Sequence, residues 1–516
     1  MAYKSRFAAM SPMLAFSCFC LLVGDMLFGY DTASFGGVLA NPGFVNKFGE
    51  QTATGAWKIS SLNTSLLSSL AFIGKFLGCL FAGTIIERVG HRITFYILAG
   101  ISMLGIVIEM TSAGTSPGSG RIPQFIVGRI IVYVAVGLVE VCVTTYQAEI
   151  VPAPLRGFVV VSLQLFLNAG SLMATGVNKA FSTRTDSSGW LTVTGIQFLF
   201  SILLVAFVPF IPNSPRWLLS KDRDEEALAA MRKLRTSEEV ANGQCEQEIA
   251  LIRETLAIHL HKAPWSDLFK GTNRRRTMIV LISFTFQQIT GQAFVSTYQT
   301  VFYKSNGYAD QAFLYPVING VLQLFAVIPG MFLVDNLGRR PLLLLSCSFQ
   351  GLFMFLLAGL GGMHSTNTSI RNAVVASFML FSMSYSLGGA STPYLIGAEV
   401  PNASVREKTD SIGAAFNVVW AFATNFALPY MIAALNFKVG YIFGGISVLG
   451  VLYFFFYLPE TKGKVLEEID AIFEQKFNPF KPQKIYETAA QRALGELENP
   501  HAFEMSDKKL EEERID

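Results

Sequence analysis

The chain of 516 residues is 51% hydrophobic and only 15% charged, whereas about a quarter of the residues in a soluble protein are charged. Its formal net charge of +3 gives no reason to expect nucleic acid as a partner. The six cysteines and five histidines are scattered, so the sequence predicts no metal site and no cofactor. No nucleophile–base arrangement suggests an enzyme. The composition therefore predicts an integral membrane protein.

The predicted elements are apolar runs, each close to the roughly 20 residues that a helix needs to cross a bilayer. Most of the 40 lysines and arginines fall on one side of their alternation, which predicts that both termini lie in the cytoplasm. The fold class is therefore predicted to be an all-α membrane protein with twelve spans. In chain order, the runs cover residues 12–36, 61–83, 93–112, 122–146, 156–178, 191–211, 277–303, 312–334, 341–361, 371–397, 409–433 and 439–458.

A long polar segment divides the runs into two groups of six. Within it, apolar positions recur at helical spacing near 222–235 and 246–259, which favours packed cytosolic helices over a flexible linker. The predicted divisions are a first half at 1–211, a cytosolic helical linker at 212–276, a second half at 277–458 and a cytosolic tail at 459–516.

Three motifs at the ends of apolar runs occur twice in the same order, about 250 residues apart, which indicates a duplicated half. Acids and bases recur at matched positions. Gly90 and Gly338 in the first motif are expected to allow tight turns between adjacent helices. The matched segments are 87–92 with 335–340, Glu149 and Arg156 with Glu399 and Arg406, and 212–216 with 459–463.

Together with further motifs, these pairs resemble the sugar porter branch of the major facilitator superfamily, particularly its fungal members, over about residues 15–480. The further motifs are Gly29-Tyr30-Asp31, Gly128-Arg129, Tyr146-Gln147-Ala148-Glu149, Ser214-Pro215-Arg216-Trp217-Leu218, and Gln287-Gln288 with Gly291. The resemblance implies two pseudo-symmetric six-helix halves and proton-coupled import of a mono- or disaccharide by alternating access. It also implies a monomer in the plasma membrane, whose partners are a small sugar, protons and the lipid bilayer.

Charges inside the predicted spans are the first candidates for function, because an unpaired charge in a membrane costs a few kcal/mol. The resemblance implies that Asp31 and Arg129 couple transport to protons, and a static ion pair is the alternative. Lys75 is less usual. It could form a structural pair with Asp25 or Glu140, bind an anionic substrate such as a sugar acid, or extend to the membrane edge.

The predicted substrate contacts are side chains that suit sugar hydroxyl groups and ring faces. Hydrogen bonds between helices are the alternative role for each amide. Departures from the hexose-carrier pattern, such as Gln292-Ala293 after Gly291, leave a sugar-acid (galacturonate-type) transporter as an open alternative. A facilitator and a non-transporting sensor are weaker ones. The residues implied by the resemblance are Gln164, Gln287, Gln288, Gln323 and Asn425, with Tyr298 and Tyr394 as aromatic walls and Lys75 for an acid.

The resemblance also implies a gate of ion pairs at the cytoplasmic membrane edge, which latches the halves while the cavity faces outward and breaks when it opens inward. Topology-setting charge is the alternative. The first half departs from the family pattern at Glu87, His91 and Asn213, where Asp, Arg and Glu are usual. We therefore expect a weaker latch in the first half. The gate residues are Glu87, Arg92, Glu149, Arg156, Asp335, Arg339, Arg340, Glu399, Arg406 and Glu460.

Overall fold

A computed structural model describes residues 10–52, 55–258, 264–363, 367–402, 405–462, 469 and 472–473. These residues are mostly helical, as expected for an apolar chain whose backbone N–H and C=O groups must bond to each other within a membrane. One short antiparallel hairpin, β1 (Glu50–Gln51) with β2 (Trp57–Lys58), lies between the first two crossings.

The first half contains six crossings. Its first helix begins where the Ser11 hydroxyl accepts a hydrogen bond from the Leu14 N–H, with Pro12 in the first turn. The helices are α1 (Pro12–Ala40), α2 (Pro42–Phe48), α3 (Ser61–Ser69), α4 (Ala71–Thr111), α5 (Ile122–Ile150), α6 (Ala153–Ala180), α7 (Ser188–Gly195) and α8 (Gln197–Phe207).

The polar linker folds into short helices against the first half, as predicted. Leu218, Leu219 and Ala227 form a small core with Ile249 and Ile252. The Ser11 hydroxyl donates to the Leu234 carbonyl at 2.8 Å, and the Arg235 guanidinium donates to the Ile150 carbonyl at 2.9 Å. The helices are α9 (Pro215–Leu219), α10 (Asp224–Leu234), α11 (Ser237–Ala241) and α12 (Gln244–Ile258).

The second half repeats the six crossings with two interruptions. Its first crossing breaks after Ile289, and its fourth contains a π-helical turn at Tyr385–Gly389. The helices are α13 (Gly271–Ile289), α14 (Gln292–Ser296), α15 (Gln299–Ser305), α16 (Leu314–Asn336), α17 (Arg339–Gly362), α18 (Thr368–Ser384), α19 (Thr392–Glu399), α20 (Arg406–Leu435) and α21 (Val439–Tyr457).

Hydropathy accounts for most of the crossings. Nine segments of the described chain are long and apolar enough to cross a membrane. Two of them, Ser61–Thr111 and Lys408–Tyr457, each contain two of the predicted runs. Helix α6 has the length of a crossing at 28 residues, and it supplies the remaining one.

The turn predicted at Gly90 has the expected backbone. Gly90 has a φ of 79° within α4, and the chain reverses there between the second and third crossings. Gly338 has a φ of 103° at the equivalent turn before α17. A side chain would be strained at both positions, because L-residues rarely adopt this backbone region.

The halves touch on the face of the bundle that lies away from the linker, which we call the distal face. There the Ser65 hydroxyl donates to the Phe426 carbonyl at 2.9 Å, and the Lys304 ammonium donates to the Ala40 carbonyl at 2.8 Å. Gly36 packs so closely on the Thr297 carbonyl that a Cβ atom would lie 2.2 Å from its oxygen. These contacts close the space between the halves on the distal side.

Candidate transport site

A cavity of about 140 Å³ lies between the two halves, and amide side chains dominate its wall. Phe28, Phe72, Tyr385 and Tyr394 add aromatic surface. An amide both donates and accepts hydrogen bonds, so this wall suits a ligand rich in hydroxyl groups. The lining amides are Gln164, Asn168, Gln287, Gln288, Gln292, Gln299, Asn319, Gln323, Asn417 and Asn425.

Helix α6 supplies one polar wall of this cavity. Gln164, Asn168, Ser171 and Thr175 follow each other at intervals of four, three and four residues, which places them on one face of a helix. All four line the cavity. This spacing is present in the sequence, but the hydropathy of the run does not show that this face of the helix lines a cavity.

The broken crossing brings the paired glutamines into a hydrogen-bonded network. The Gln287 amide donates to the Ala390 carbonyl at 2.5 Å and accepts from the Asn417 amide at 2.5 Å. The Gln288 amide donates to the side-chain oxygen of Asn417 at 3.1 Å. These bonds fix the orientation of the side chains, and they include the interhelical contacts that the sequence left as an alternative.

Most of the predicted contacts line the cavity, but one does not. The Tyr298 side chain is 1% exposed and packs in the core of the second half, where its hydroxyl donates to the Asn425 carbonyl at 3.0 Å. Tyr298 is thus a support for α20 rather than an aromatic wall. The predicted residues that do line the cavity are Gln164, Gln287, Gln288, Gln323, Asn425, Tyr394 and Lys75.

The structure brings Asp31 and Arg129 together in the interior of the first half, with 0% and 3% of their side chains exposed. The Arg129 Nη2 atom lies 3.8 Å from the Asp31 Oδ2 atom, which is longer than a hydrogen bond. The Gln197 amide donates to the other Asp31 oxygen at 3.1 Å, and the guanidinium stacks 3.7 Å from the Phe35 ring centre. The two charges are paired, yet loosely held.

A second buried carboxylate, Glu109, was missed by the sequence reasoning. It lies on α4 against Gly128, the neighbour of Arg129, and its Oε1 atom has no hydrogen-bond partner. Glu109 stands near the end of a predicted run, where a charged residue is usually solvated. Only its packing against α5 distinguishes it from an ordinary residue at a loop edge.

Lys75 pairs with Glu140, one of the two partners that the sequence left open. The Lys75 Nζ atom lies 2.9 Å from the Glu140 Oε2 atom, and the side chains are 4% and 16% exposed. The other carboxylate oxygen accepts a hydrogen bond from the Tyr394 hydroxyl at 2.9 Å. Because Tyr394 belongs to the second half, this pair connects the two halves beside the cavity.

The chain matches the profile of a family described as "Sugar (and other) transporter" over residues 17–473. The protein belongs to this family. Among its relatives, hexose transporter 2 of Kluyveromyces lactis is 28% identical, covering 91% of this chain and 85% of the relative. The galactose transporter of Saccharomyces cerevisiae is 28% identical, covering 90% and 82%. The major facilitator-type transporter ecdD of Aspergillus rugulosus is 29% identical, covering 87% and 85%.

Solved structures of the major facilitator superfamily share the fold. The proton:xylose symporter XylE bound to 6-bromo-6-deoxy-D-glucose matches with a TM-score of 0.72 at 24% identity, covering 89% of this chain and 99% of that one. A partially occluded inward-open structure of XylE from E. coli gives 0.73 at 23% identity, covering 88% and 100%. The predicted family and the twelve-helix fold in two halves are confirmed.

At the membrane edge next to the linker, the two halves of this sugar transporter use the same contact. The Ser214 hydroxyl donates to Glu149 in the first half, and the Thr461 hydroxyl donates to Glu399 at 2.6 Å in the second. Ser214 and Thr461 come from the matched motifs at 212–216 and 459–463. The duplication is therefore visible in side-chain contacts as well as in the sequence.

The matched carboxylate has a stronger basic partner in the second half than in the first. Arg339 forms a bidentate pair with Glu399, with hydrogen bonds of 3.1 and 2.8 Å. In the first half its equivalent is His91, whose Nε2 atom lies 3.8 Å from the Glu149 carboxylate. A bidentate arginine–carboxylate pair is the stronger of these interactions. This difference agrees with the expectation of a weaker network in the first half.

Glu460 adds a contact in the second half. Its two carboxylate oxygens accept the backbone N–H groups of Arg339 and Arg340, each at 3.0 Å, at the start of α17. A carboxylate is favourable there because the first N–H groups of a helix have no partners within it. Asn213 occupies the corresponding position in the first half and carries no charge.

The remaining predicted gate residues mostly bond to backbone groups. Arg92 donates to the Pro209 carbonyl at 3.0 Å, and Arg340 donates to the Phe455 carbonyl at 2.8 Å. Arg406 donates to the Pro401 carbonyl at 3.5 Å, while the carbonyl of Glu87 accepts the Trp217 indole N–H. The side chains of Arg156 and Asp335 lie outside the described part of the chain.

The described contacts of these residues lie within single halves, so the prediction that ion pairs latch the two halves while the cavity faces outward stays a prediction. Glu149 with Ser214 and Arg339 with Glu399 each join elements of a single half. Each network ties the end of one crossing to the loops beside it. In this state, the described contacts therefore stiffen each half separately.

In the second half, the Glu460 carboxylate accepts the backbone N–H groups that follow Gly338. We expect Asn213→Glu to place an equivalent carboxylate beside the backbone N–H groups that follow Gly90. The gain is about 0.5–2 kcal/mol, as for a helix N-terminal cap. Thermal unfolding of the purified protein should shift upward, and transport should slow if the first half must loosen during the cycle.

Glu460→Asn is the matched control and is expected to lower the unfolding temperature, because it removes the same contact from the second half. If Asn213→Glu changed neither the unfolding temperature nor the transport rate, the idea that the first half carries the weaker network would be wrong.

Proposed function

We propose that this protein imports a small sugar together with a proton by alternating access, as a monomer in the plasma membrane with both termini in the cytoplasm. The observation that carries the proposal is the buried Asp31–Arg129 pair in the half that contributes Phe28 and Thr32 to the amide-lined cavity. The named activities of the relatives, a hexose transporter, a galactose transporter and a proton:xylose symporter, support the same class of substrate.

The cavity supports a sugar as the ligand. Its amides come from both halves, with Gln164 and Asn168 on α6 facing Gln287, Gln288 and others of the second half. A hydroxyl group that donates to one amide oxygen and accepts from another amide N–H could therefore bridge the halves. Such a ligand would favour the state in which the halves close around it, which is what a transport cycle by alternating access needs.

Proton coupling is supported by how the charged pair is held. Two buried charges are stable only while they compensate each other, and a buried pair that loses one member is destabilised by about 3–5 kcal/mol. Protonation of Asp31 removes one charge and weakens its attraction to Arg129. The guanidinium would then be retained by Phe35 and Tyr133. We infer that loading and release of this proton accompany the two cavity orientations.

The contacts at the distal face support a cavity that opens toward the linker in this state. Ser65 with Phe426 and Lys304 with Ala40 hold the halves together on the distal side. Opening toward the distal face requires these bonds to break. If the termini lie in the cytoplasm, as proposed, this would be the state from which sugar is released into the cell.

A sugar-acid transporter is the second candidate function, and a specific observation motivates it. Lys75 lines the cavity and carries a positive charge. Its pairing with Glu140 determines how much of that charge an anionic substrate would experience.

We expect Asp31→Asn to abolish sugar accumulation driven by a pH gradient, because the amide cannot release and rebind a proton in the cycle. Exchange of labelled for unlabelled sugar across the membrane should remain measurable, since exchange does not require net proton movement. Both quantities can be measured on the same proteoliposomes.

The control is Asp186→Asn, the same chemical change at an exposed loop position, which should accumulate sugar like the unmodified protein. Full gradient-driven accumulation by Asp31→Asn would remove Asp31 from the coupling role and leave the static ion pair as its explanation.

We expect Gln287→Ala to weaken sugar binding by about 1–3 kcal/mol, the range for leaving polar groups unpaired. The change removes a lining amide and also releases Asn417 from its hydrogen bond. Equilibrium binding of labelled sugar to the purified protein measures the effect.

Gln350→Ala provides a matched control. Gln350 is also a buried glutamine of the second half, but it bonds to Ser346 and lies outside the wall of this cavity. Its substitution should leave sugar affinity unchanged. Equal affinities for Gln287→Ala and the unmodified protein would exclude Gln287 from the binding site.

A further inference from the structure

The wall of the cavity contains one charged side chain among the lining residues that the structure describes, and that residue is Lys75. We propose that Glu140 determines the charge selectivity of the transporter: by neutralising Lys75, it reserves the cavity for uncharged sugars and excludes sugar acids. This inference rests on the proposed sugar transport and specifies its substrate class.

The geometry of the pair leaves Lys75 little capacity to bind an anion. Its ammonium group is 2.9 Å from the Glu140 carboxylate, and it also lies 4.7 Å from the centre of the Phe28 ring. Both the carboxylate and the electron-rich ring face compensate the positive charge. A ligand in the cavity would therefore encounter a neutral ion pair instead of a free cation.

Glu140 is itself held from several directions. Its Oε1 atom accepts the Tyr394 hydroxyl at 2.9 Å, and its Oε2 atom lies 3.8 Å from the Cys79 sulfur. A substrate carboxylate that took over Lys75 would leave Glu140 without its cation in a mostly buried position, which is strongly unfavourable. A fixed, preorganised carboxylate thus outcompetes a mobile one that must also be desolvated on entry.

The other ionisable groups that the structure describes nearby give the ligand no replacement for Lys75. Asp25 on α1 is buried close to Glu140 and is an acid, so it supplies no positive charge. Arg129 offers no alternative cation to the ligand, because its guanidinium packs on Phe35 beside Asp31. The paired Lys75 therefore offers little net charge to a second anion, whereas the amides of the wall can donate to and accept from hydroxyl groups.

Binding to the purified full-length protein in lipid nanodiscs tests the proposal without requiring a complete transport cycle. The probes are D-glucose, D-galactose and maltose as uncharged sugars and D-galacturonate as the sugar acid. The unmodified protein should bind at least one uncharged sugar at least about tenfold more tightly than galacturonate, a ratio equivalent to 1.4 kcal/mol.

Glu140→Gln removes the neutralising charge and nearly preserves the shape of the side chain. It should improve galacturonate binding about tenfold or more relative to the uncharged sugar, because Lys75 is then uncompensated. The double variant Lys75→Gln/Glu140→Gln should lose this gain, since no cation remains to attract the acid. An unchanged ratio in Glu140→Gln would overturn the proposal.

If Glu140→Gln does not fold, a second comparison decides the matter. Lys75→Gln leaves the Glu140 carboxylate uncompensated beside the cavity, so this variant should bind galacturonate more weakly than the double variant does. Equal galacturonate binding by these two variants would contradict the role of Glu140. Failure of the unmodified protein to bind any of the uncharged sugars would instead contradict the proposed function itself, as well as the inference that rests on it.

Discussion

The first half contains two buried charges that water cannot solvate, so each must be compensated by the other. Asp31 and Arg129 are buried on α1 and α5, and either charge alone would destabilise the first half by several kcal/mol. Each charge therefore requires the other helix nearby, although the pair itself is loosely held at 3.8 Å. Gln197 on α8 completes the arrangement by donating to Asp31. In the proposed mechanism, protonation of Asp31 weakens this pair, so the same interaction would contribute to both stability and transport.

The duplication of the chain produces two halves that are similar but not equal. A hydroxyl donates to a carboxylate in each, from Ser214 to Glu149 and from Thr461 to Glu399. The second half adds the bidentate pair with Arg339. In the proposed cycle the cavity opens and closes as the halves move, and we expect this difference to give the two halves different shares in the motion. The sequence differences that set this asymmetry lie at the membrane edge, far from the amides that face the ligand.

The sequence predicted the parts of the molecule that depend on length and hydropathy. The spans, the linker helices and the turn at Gly90 follow from apolar runs, helical spacing and the backbone freedom of glycine. Features that depend on which way a side chain points were less accessible. Tyr298 was predicted to be an aromatic wall of the cavity, but it packs in the core of the second half. Glu109 lies near the end of a predicted span, where a charge is usually solvated, but it is buried beside α5. The partner of Lys75 remained open because only packing of α4 on α5 selects Glu140.

Whether sugar and protons move together is the central question, and proton movement during sugar uptake tests it most directly. In weakly buffered suspensions of cells that express this protein, addition of glucose, galactose or maltose should raise the pH of the medium as the transported sugar enters. Cells that lack the protein provide the baseline. Alkalinisation that accompanies uptake of an uncharged sugar is the result that the coupling role of Asp31 and Arg129 predicts. Uptake of the sugar with no change in pH would contradict it.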